Sequence, residues 1–281
     1  MPLSAAQSTK RYYEQYPSGR HQTGDIWSEI PNNGLLPVPR TSALLITPAC
    51  DLQNCKTDTL VFIPIVPLTV AVTIPSFLRR FGSEMMGVLD SLFPELSELC
   101  DFSDPDFRST LGEQIGSWHG SPKDQVKIGR LKEWLHFCEV YEAKDSMSLP
   151  FLTAAGRRKF LEMVICNSLT ADAHFFPKER WETSYPAISF HSVCLFRYLL
   201  TYPVELFDLA ARTTSESWQK RLSAVAGERW AQFGAALPIR ALRLRHEFLV
   251  DVITRLTSLF NRIGSDDFTS RCIAEFAEEI T

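Results

Sequence analysis

The sequence predicts an α+β protein in which a small β-barrel is interrupted by a large helical insertion and closed by C-terminal helices. Three observations predict it. Short β-rich apolar runs bounded by Pro and by Asp or Asn lie at 43–47 and 60–66. The apolar period then lengthens from two to about 3.6 residues after Ile74. Finally, β-type stretches return at 188–198 and 239–244. The expected units are 1–73 with 188–244 as the barrel, 74–187 as the insertion, and 245–281 as helices packed on the barrel.

The elements follow in chain order. Ser4 can cap a helix that runs to Tyr16 and stops at Pro17 and Gly19. Gly24-Asp25-Ile26-Trp27 opens a strand, and Asn32-Asn33-Gly34 tolerates the positive φ of a turn. Ala43–Thr47 (ALLIT) and Leu60–Val66 (LVFIPIV) read as buried strands, with the loop Pro48–Lys56 between them. Phe77, Leu78, Phe81, Met85, Val88, Leu89 and Leu92 then share one helical face until Pro94.

Further helices are expected at Asp106–Trp118, where Gly112 and Gly116 lower the propensity, at Pro122–Tyr141 and at Thr153–Asn167. An aromatic loop, His174–Pro186, precedes the strand Ile188–Tyr198. A helix carrying Trp218, Leu222, Val225 and Trp230 leads to a closing strand, Ile239–Leu244. The strongest helix begins near Arg245, with Phe248, Leu249, Val252, Ile253, Leu256, Leu259, Phe260 and Ile263 in register and Gly264 as its stop. A short acidic helix, Phe268–Glu279, is expected last.

Composition bounds the function. With 45% hydrophobic and 22% charged residues in 281, the chain has the ordinary globular mixture. No apolar run is long enough for a membrane span and the first residues lack a signal-peptide core, so the expectation is a cytoplasmic protein with no membrane contact. Seven cysteines, an odd number spread from Cys50 to Cys272, read as reduced thiols and not as a disulfide framework. A net charge of −4 supplies no global attraction to nucleic acid, so contact with it would need a local basic patch.

Chemistry is sparse. Cys50 beside Asp51, with Cys55, Lys56 and Arg40 near in sequence, can act as a nucleophile or redox pair if His191 or His246 is brought to it as a base. Asp51 alone would raise the thiol pKa, which favours a structural turn. A zinc set of Cys50, Cys55, His191 and Cys194 has the ligand types but poor spacing, because His191 and Cys194 on one strand point to opposite faces and could not easily reach one metal. The cations Arg157, Arg158 and Lys159, and Arg240, Arg243 and Arg245, form two local clusters. Cys50, Asp51, Lys56, Arg240, Arg243 and Arg245 are the candidate binding residues. No Gly-rich phosphate loop, HExxH or GxSxG occurs, and no cofactor or metal is expected.

Gly24-Asp25-Ile26-Trp27, then Pro39-Arg40 leading into Ala43–Pro48, then Val61–Thr69, resemble in pattern and order the strands of the PemK/MazF-type toxin barrel. The resemblance implies an SH3-like β-barrel and an endoribonuclease activity in which Arg40 and Thr69 hold the positions serving RNA cleavage. Two features depart from the family: Arg40 is followed by Thr41-Ser42 where the family has Pro, and the Cys-Asp loop is extra. The Cys-Asp loop and the Arg-rich approach to the last helix are also similar to uncharacterised bacterial proteins found beside defence genes. The leading expectation is a non-enzymatic interaction or regulatory subunit of a bacterial conflict system with a protein partner. The alternatives are an endoribonuclease derived from the barrel, and a zinc- or thiol-dependent protein using Cys50 and Cys55. The sequence specifies no oligomeric state.

Overall fold

The computed structural model describes residues 12–15, 19–97, 101–102, 104–140, 149–179 and 187–260. Among them are eight strands: β1 (Tyr13–Gln15), β2 (Asp25–Pro31), β3 (Arg40–Leu45), β4 (Thr59–Pro67), β5 (Ala173–Phe176), β6 (Ser192–Leu195), β7 (Leu200–Pro203) and β8 (Ile239–Leu244). The helices are α1 (Ala49–Gln53), α2 (Leu68–Ala71), α3 (Pro75–Leu92), α4 (Pro94–Ser97), α5 (Pro105–Gly116), α6 (Gln125–Val140), α7 (Ala154–Ile165), α8 (Val204–Ala211), α9 (Ser215–Ala226) and α10 (His246–Phe260). None of the described helices is long and apolar enough to cross a membrane.

The strands form one antiparallel sheet curled into a half-barrel, in the order β1-β8-β2-β3-β4-β6-β5. β4 serves two neighbours along one edge: Thr59–Phe62 pairs with β7, and Ile65–Pro67 pairs with β6. Pro64, which has no amide hydrogen to give a ladder, falls in the gap between these two pairings.

Trp27 and Ile30 stand three apart yet bury in the same cluster, which strict strand alternation forbids. A bulge between them absorbs the extra residue, with Glu29 in the left-handed region at φ 61°.

Each face of the sheet buries against different partners. The inner face gathers Tyr13, Ile26, Leu44, Ile63, Phe176, Cys194 and Leu242 with Val252 and Leu256 of α10. On the outer face, Trp27, Ala43, Leu45 and Phe62 pack on Leu206 and Phe207 of α8 and Trp218 of α9. The Trp27 and Phe207 rings meet edge to face at 4.9 Å, a geometry adding about 0.5–1.5 kcal/mol beyond area burial. Helices α3 and α5–α7 form a third layer over Val66, Ala173, Val193 and Leu195. There Phe77, Phe81, Met85 and Leu89, one turn apart on α3, are all buried. Thr153 begins α7 by accepting the Gly156 amide at 3.0 Å.

Side chains connect the two outermost strands of the curl. The Tyr12 hydroxyl donates to the Phe175 carbonyl at 2.9 Å, and the Tyr13 hydroxyl to the Pro177 carbonyl at 2.7 Å. The Phe175 amide donates to Asn167 Oδ1 at 2.5 Å, so the open edge of β5 is covered by side chains.

The structure corrects several expectations. Tyr13–Gln15 is a strand paired with Leu242–Leu244 and not the end of a helix, because a fully buried Tyr13 gains a ladder partner in β8. Of the earlier part of that expected helix only Tyr12, which is helical, falls among the described residues; the rest lies outside them, as do Ile263, the Gly264 stop and the helix at 268–279. Residues 49–53 of the Cys-Asp loop wind into the short helix α1 after Pro48. Ala173–Phe176, expected to be helical insertion running into the aromatic loop, is the strand β5 and belongs to the sheet. The stretch 188–198 contributes only Ser192–Leu195 as strand, and a separate strand, β7, follows it. Helix α8 was not expected.

Candidate functional site

The inward columns of β3 and β6 turn polar at one end of the half-barrel, beside the apolar column of β4. On β3 the column runs Leu44, Ser42, Arg40; on β4, Ile63, Ile65, Pro67; on β6, Cys194, Ser192. The apolar members fill the core and the last ones open a cavity of about 240 Å³ at the mouth. Its walls include Ser28, Arg40, Ser42, Pro67, Phe190 and Ser192. Mouths of β-barrels are frequent ligand sites. Phe190, at 44% exposure, offers the mouth an unburied aromatic ring.

Four of the hydroxyls here share one orientation of hydrogen bonding. Ser28 Oγ donates to the Ile239 carbonyl at 3.4 Å, Thr41 Oγ1 to the Ile65 carbonyl at 2.5 Å, and Ser192 Oγ to the Phe190 carbonyl at 2.8 Å. Ser42 Oγ donates to the Ala187 carbonyl. A hydroxyl has one hydrogen, so each of these is left with lone pairs alone. The mouth is therefore rich in acceptors.

Arg40 also lines the mouth, and its guanidinium is tied to the main chain. Nη1 donates to the Glu29 carbonyl at 3.0 Å, which pins the bulge, and Nη2 donates to the Gln232 carbonyl. Continued by two residues, the pairing of Ser42 with Ile65 sets Arg40 opposite Pro67, so Arg40 and Thr69, in the first turn of α2, stand at the same end of the sheet.

The other sequence-derived candidates are scattered. Cys50 and Cys55 are exposed free thiols; Cys50 Sγ lies 3.5 Å from Asp51 Oδ1, and Cys55 takes a left-handed φ of 49°. Lys56 is exposed beside them. Among the described residues no group of three His, Cys, Asp or Glu is placed to hold a metal ion. Cys194 is buried while His191 is exposed and stacks on Phe175.

The Arg240 cluster turns inward. Asp25 is fully buried and receives Arg243 Nε at 2.8 Å, Arg240 Nη1 at 3.2 Å and the Gln22 amide at 2.9 Å. Arg240 further donates to the Arg20 and Gly19 carbonyls, and Arg245 Nε to the Tyr13 carbonyl. These guanidiniums hold the chain's own strands.

A second polar cluster joins α10 to β5. His174, 2% exposed, places Nε2 2.9 Å from Asp251 Oδ2, with Asn167 and Tyr12 also against the ring and Arg255 on the far side of the carboxylate. Burial pushes the imidazole below its ordinary pKa, and the hydrogen bonds to Asp251 and Phe175 offset only part of that. Burial acts upward on the Asp251 carboxyl, but its bonds to His174 and Arg255 prevail and hold it below the usual range.

The sequence reading missed Ser28, Ser42, Phe190 and Ser192. The available signal was a hydroxyl at an inward alternate position of a strand whose neighbours on that face are apolar. Comparison with protein-family models, with curated proteins and with solved structures finds no match for this chain.

Proposed function

We propose that the protein is a non-enzymatic binding subunit whose half-barrel mouth receives an extended segment of a protein partner. The observation that carries this reading is the acceptor-rich mouth: Ser28, Thr41, Ser42 and Ser192 present lone pairs, which pair with the N–H groups of a peptide backbone. Phe190 supplies an aromatic surface for an apolar side chain. The chemistry-bearing candidates also support binding over catalysis. Arg240 and Arg243 are engaged by Asp25, and Cys50 is paired with the carboxylate of Asp51. The resemblance to defence-associated proteins makes the other subunits of such a system the first partners to examine.

The test is a peptide-display selection against the purified full chain, followed by affinity measurement of the enriched peptides. Phe190→Ala and Ser192→Val should weaken binding about tenfold or more while leaving the melting temperature within a few degrees. Enriched peptides that bind both variants as well as wild type would refute the mouth as the site.

The endoribonuclease reading is favoured by one observation, that Arg40 and Thr69 share an end of the sheet. Against it, phosphate oxygens are acceptors and would face hydroxyl lone pairs. Labelled RNA incubated with wild type and with Arg40→Ala decides: cleavage lost in the variant would replace the binding reading.

A further inference from the structure

Between the start of α3 and the turn joining β6 to β7 lies a second cavity, of about 160 Å³, lined by Ser76, Arg79, Thr170, Asp172, Arg197 and Tyr198. A single water needs only about 10–15 Å³ of such space, so a tetrahedral oxyanion fits. The hydrogen-bonding character of this cavity is the reverse of that at the mouth.

Its one carboxylate is already satisfied. Asp172 Oδ1 accepts from the Thr170 hydroxyl and Oδ2 from Arg197 Nε at 2.6 Å. Although burial acts upward, these bonds hold the Asp172 carboxyl below its usual range, so it stays ionised at neutral pH and balances one guanidinium. Arg79 is the second cation, and its side chain makes no hydrogen bond or ion pair with any described residue. The two Nη groups of Arg197, the Ser76 hydroxyl and the Tyr198 hydroxyl are likewise unengaged among the described residues. The cavity thus carries one positive charge in excess and a set of free donors from two separate parts of the chain. Guanidinium groups form short, charge-assisted and often bidentate bonds to phosphate oxygens, which are worth roughly twice a neutral hydrogen bond.

We propose that this cavity is an anion site that takes a phosphate group, with Arg79 and Arg197 as its two cationic contacts and Ser76 and Tyr198 as neutral donors. It is independent of the mouth and of the partner proposed there. The occupant is a small phosphate-bearing molecule: the cavity holds about 160 Å³ and is closed on one side by Ala173 and Leu195 of the sheet.

Isothermal titration of the full chain with inorganic phosphate, and separately with adenosine monophosphate, tests this at constant ionic strength. Saturable binding of either is expected; tighter binding of the ester would identify a phosphomonoester, and equal binding the free ion. Arg79→Ala should weaken the binding about tenfold or more without moving the melting temperature, since that side chain touches no partner. Arg158→Ala, on the exposed face of α7, should leave it unchanged. No saturable binding of either probe, or the same dissociation constant in Arg79→Ala as in wild type, would overturn the assignment. Arg197→Gln serves as a second variant, expected to weaken binding even where it also loosens Asp172.

Discussion

His174 Nε2 lies 2.9 Å from Asp251 Oδ2, so helix α10 is hydrogen-bonded to β5, the outermost strand of the half-barrel. The imidazole is buried and the carboxylate is half exposed, and Tyr12 and Arg255 face the same pair. Because burial lowers the folded-state pKa of His174, the unfolded chain takes up its proton first as the pH falls below about 6.5. Stability contributed by the neutral ring is therefore complete above that pH and is lost below it. The urea midpoint should fall between about pH 7.5 and about pH 5.5, and His174→Gln should flatten that slope while lowering the midpoint at neutral pH. A midpoint that rises on acidification would show that the charged ring is the preferred form.

Among the described residues Asp25 is the only carboxylate reached by Arg240 and Arg243, and it is fully buried. Asp25→Ala leaves two largely buried guanidiniums facing each other and should cost about 3–5 kcal/mol, read by chemical denaturation. The pair Arg240→Ala and Arg243→Ala made together with Asp25→Ala should cost less than the three changes summed, because the unpaired charges are then gone.

Arg40 holds the carbonyls of Glu29 and Gln232. Arg40→Ala should lower stability by about 1–2 kcal/mol, and Arg40→Lys should restore at most half of it, since a single ammonium cannot span both carbonyls as the planar fork does. Hydrogen exchange should report the loss first at the Glu29 bulge.

Cys50, Cys55 and Cys166 are exposed, whereas burial pushes the Cys138 thiol up to about 11 and the Cys194 thiol well above its ordinary value. Labelling of the native protein with a thiol reagent at neutral pH, read by peptide mass, should modify the first three within minutes and spare Cys194 and Cys138 until denaturant is added.

The parts of this fold that are legible in the sequence are those whose pattern is long and local. β4 is an unbroken apolar strand, and α3 and α10 repeat their apolar residues every three or four positions. β1, β5 and β7 are three or four residues long, too short to display a period, and each owes its ladder to a distant strand: β1 to Leu244, β5 to β6, β7 to the first half of β4. For the candidate site, the position of Arg40 at a strand start is readable, but the acceptor character of Ser42 is not. It follows from the Ala187 carbonyl taking its hydrogen, a contact made across 145 residues.

The placing of β8 between β1 and β2 constrains the order in which the molecule is made. Tyr13 and Arg245 meet across 232 residues, so β1 leaves the ribosome long before its ladder neighbour β8 exists. Until β8 is synthesised, the inner ends of β2 and β1 are separated by an empty lane, and Asp25 has no guanidinium beside it. Completion of the half-barrel is thus a late, non-local event expected to be slow relative to formation of α3 and α5–α7, which rely on near neighbours. A nascent chain halted before Ile239 would carry a folded helical layer on an open sheet, a substrate for chaperones more than a native protein.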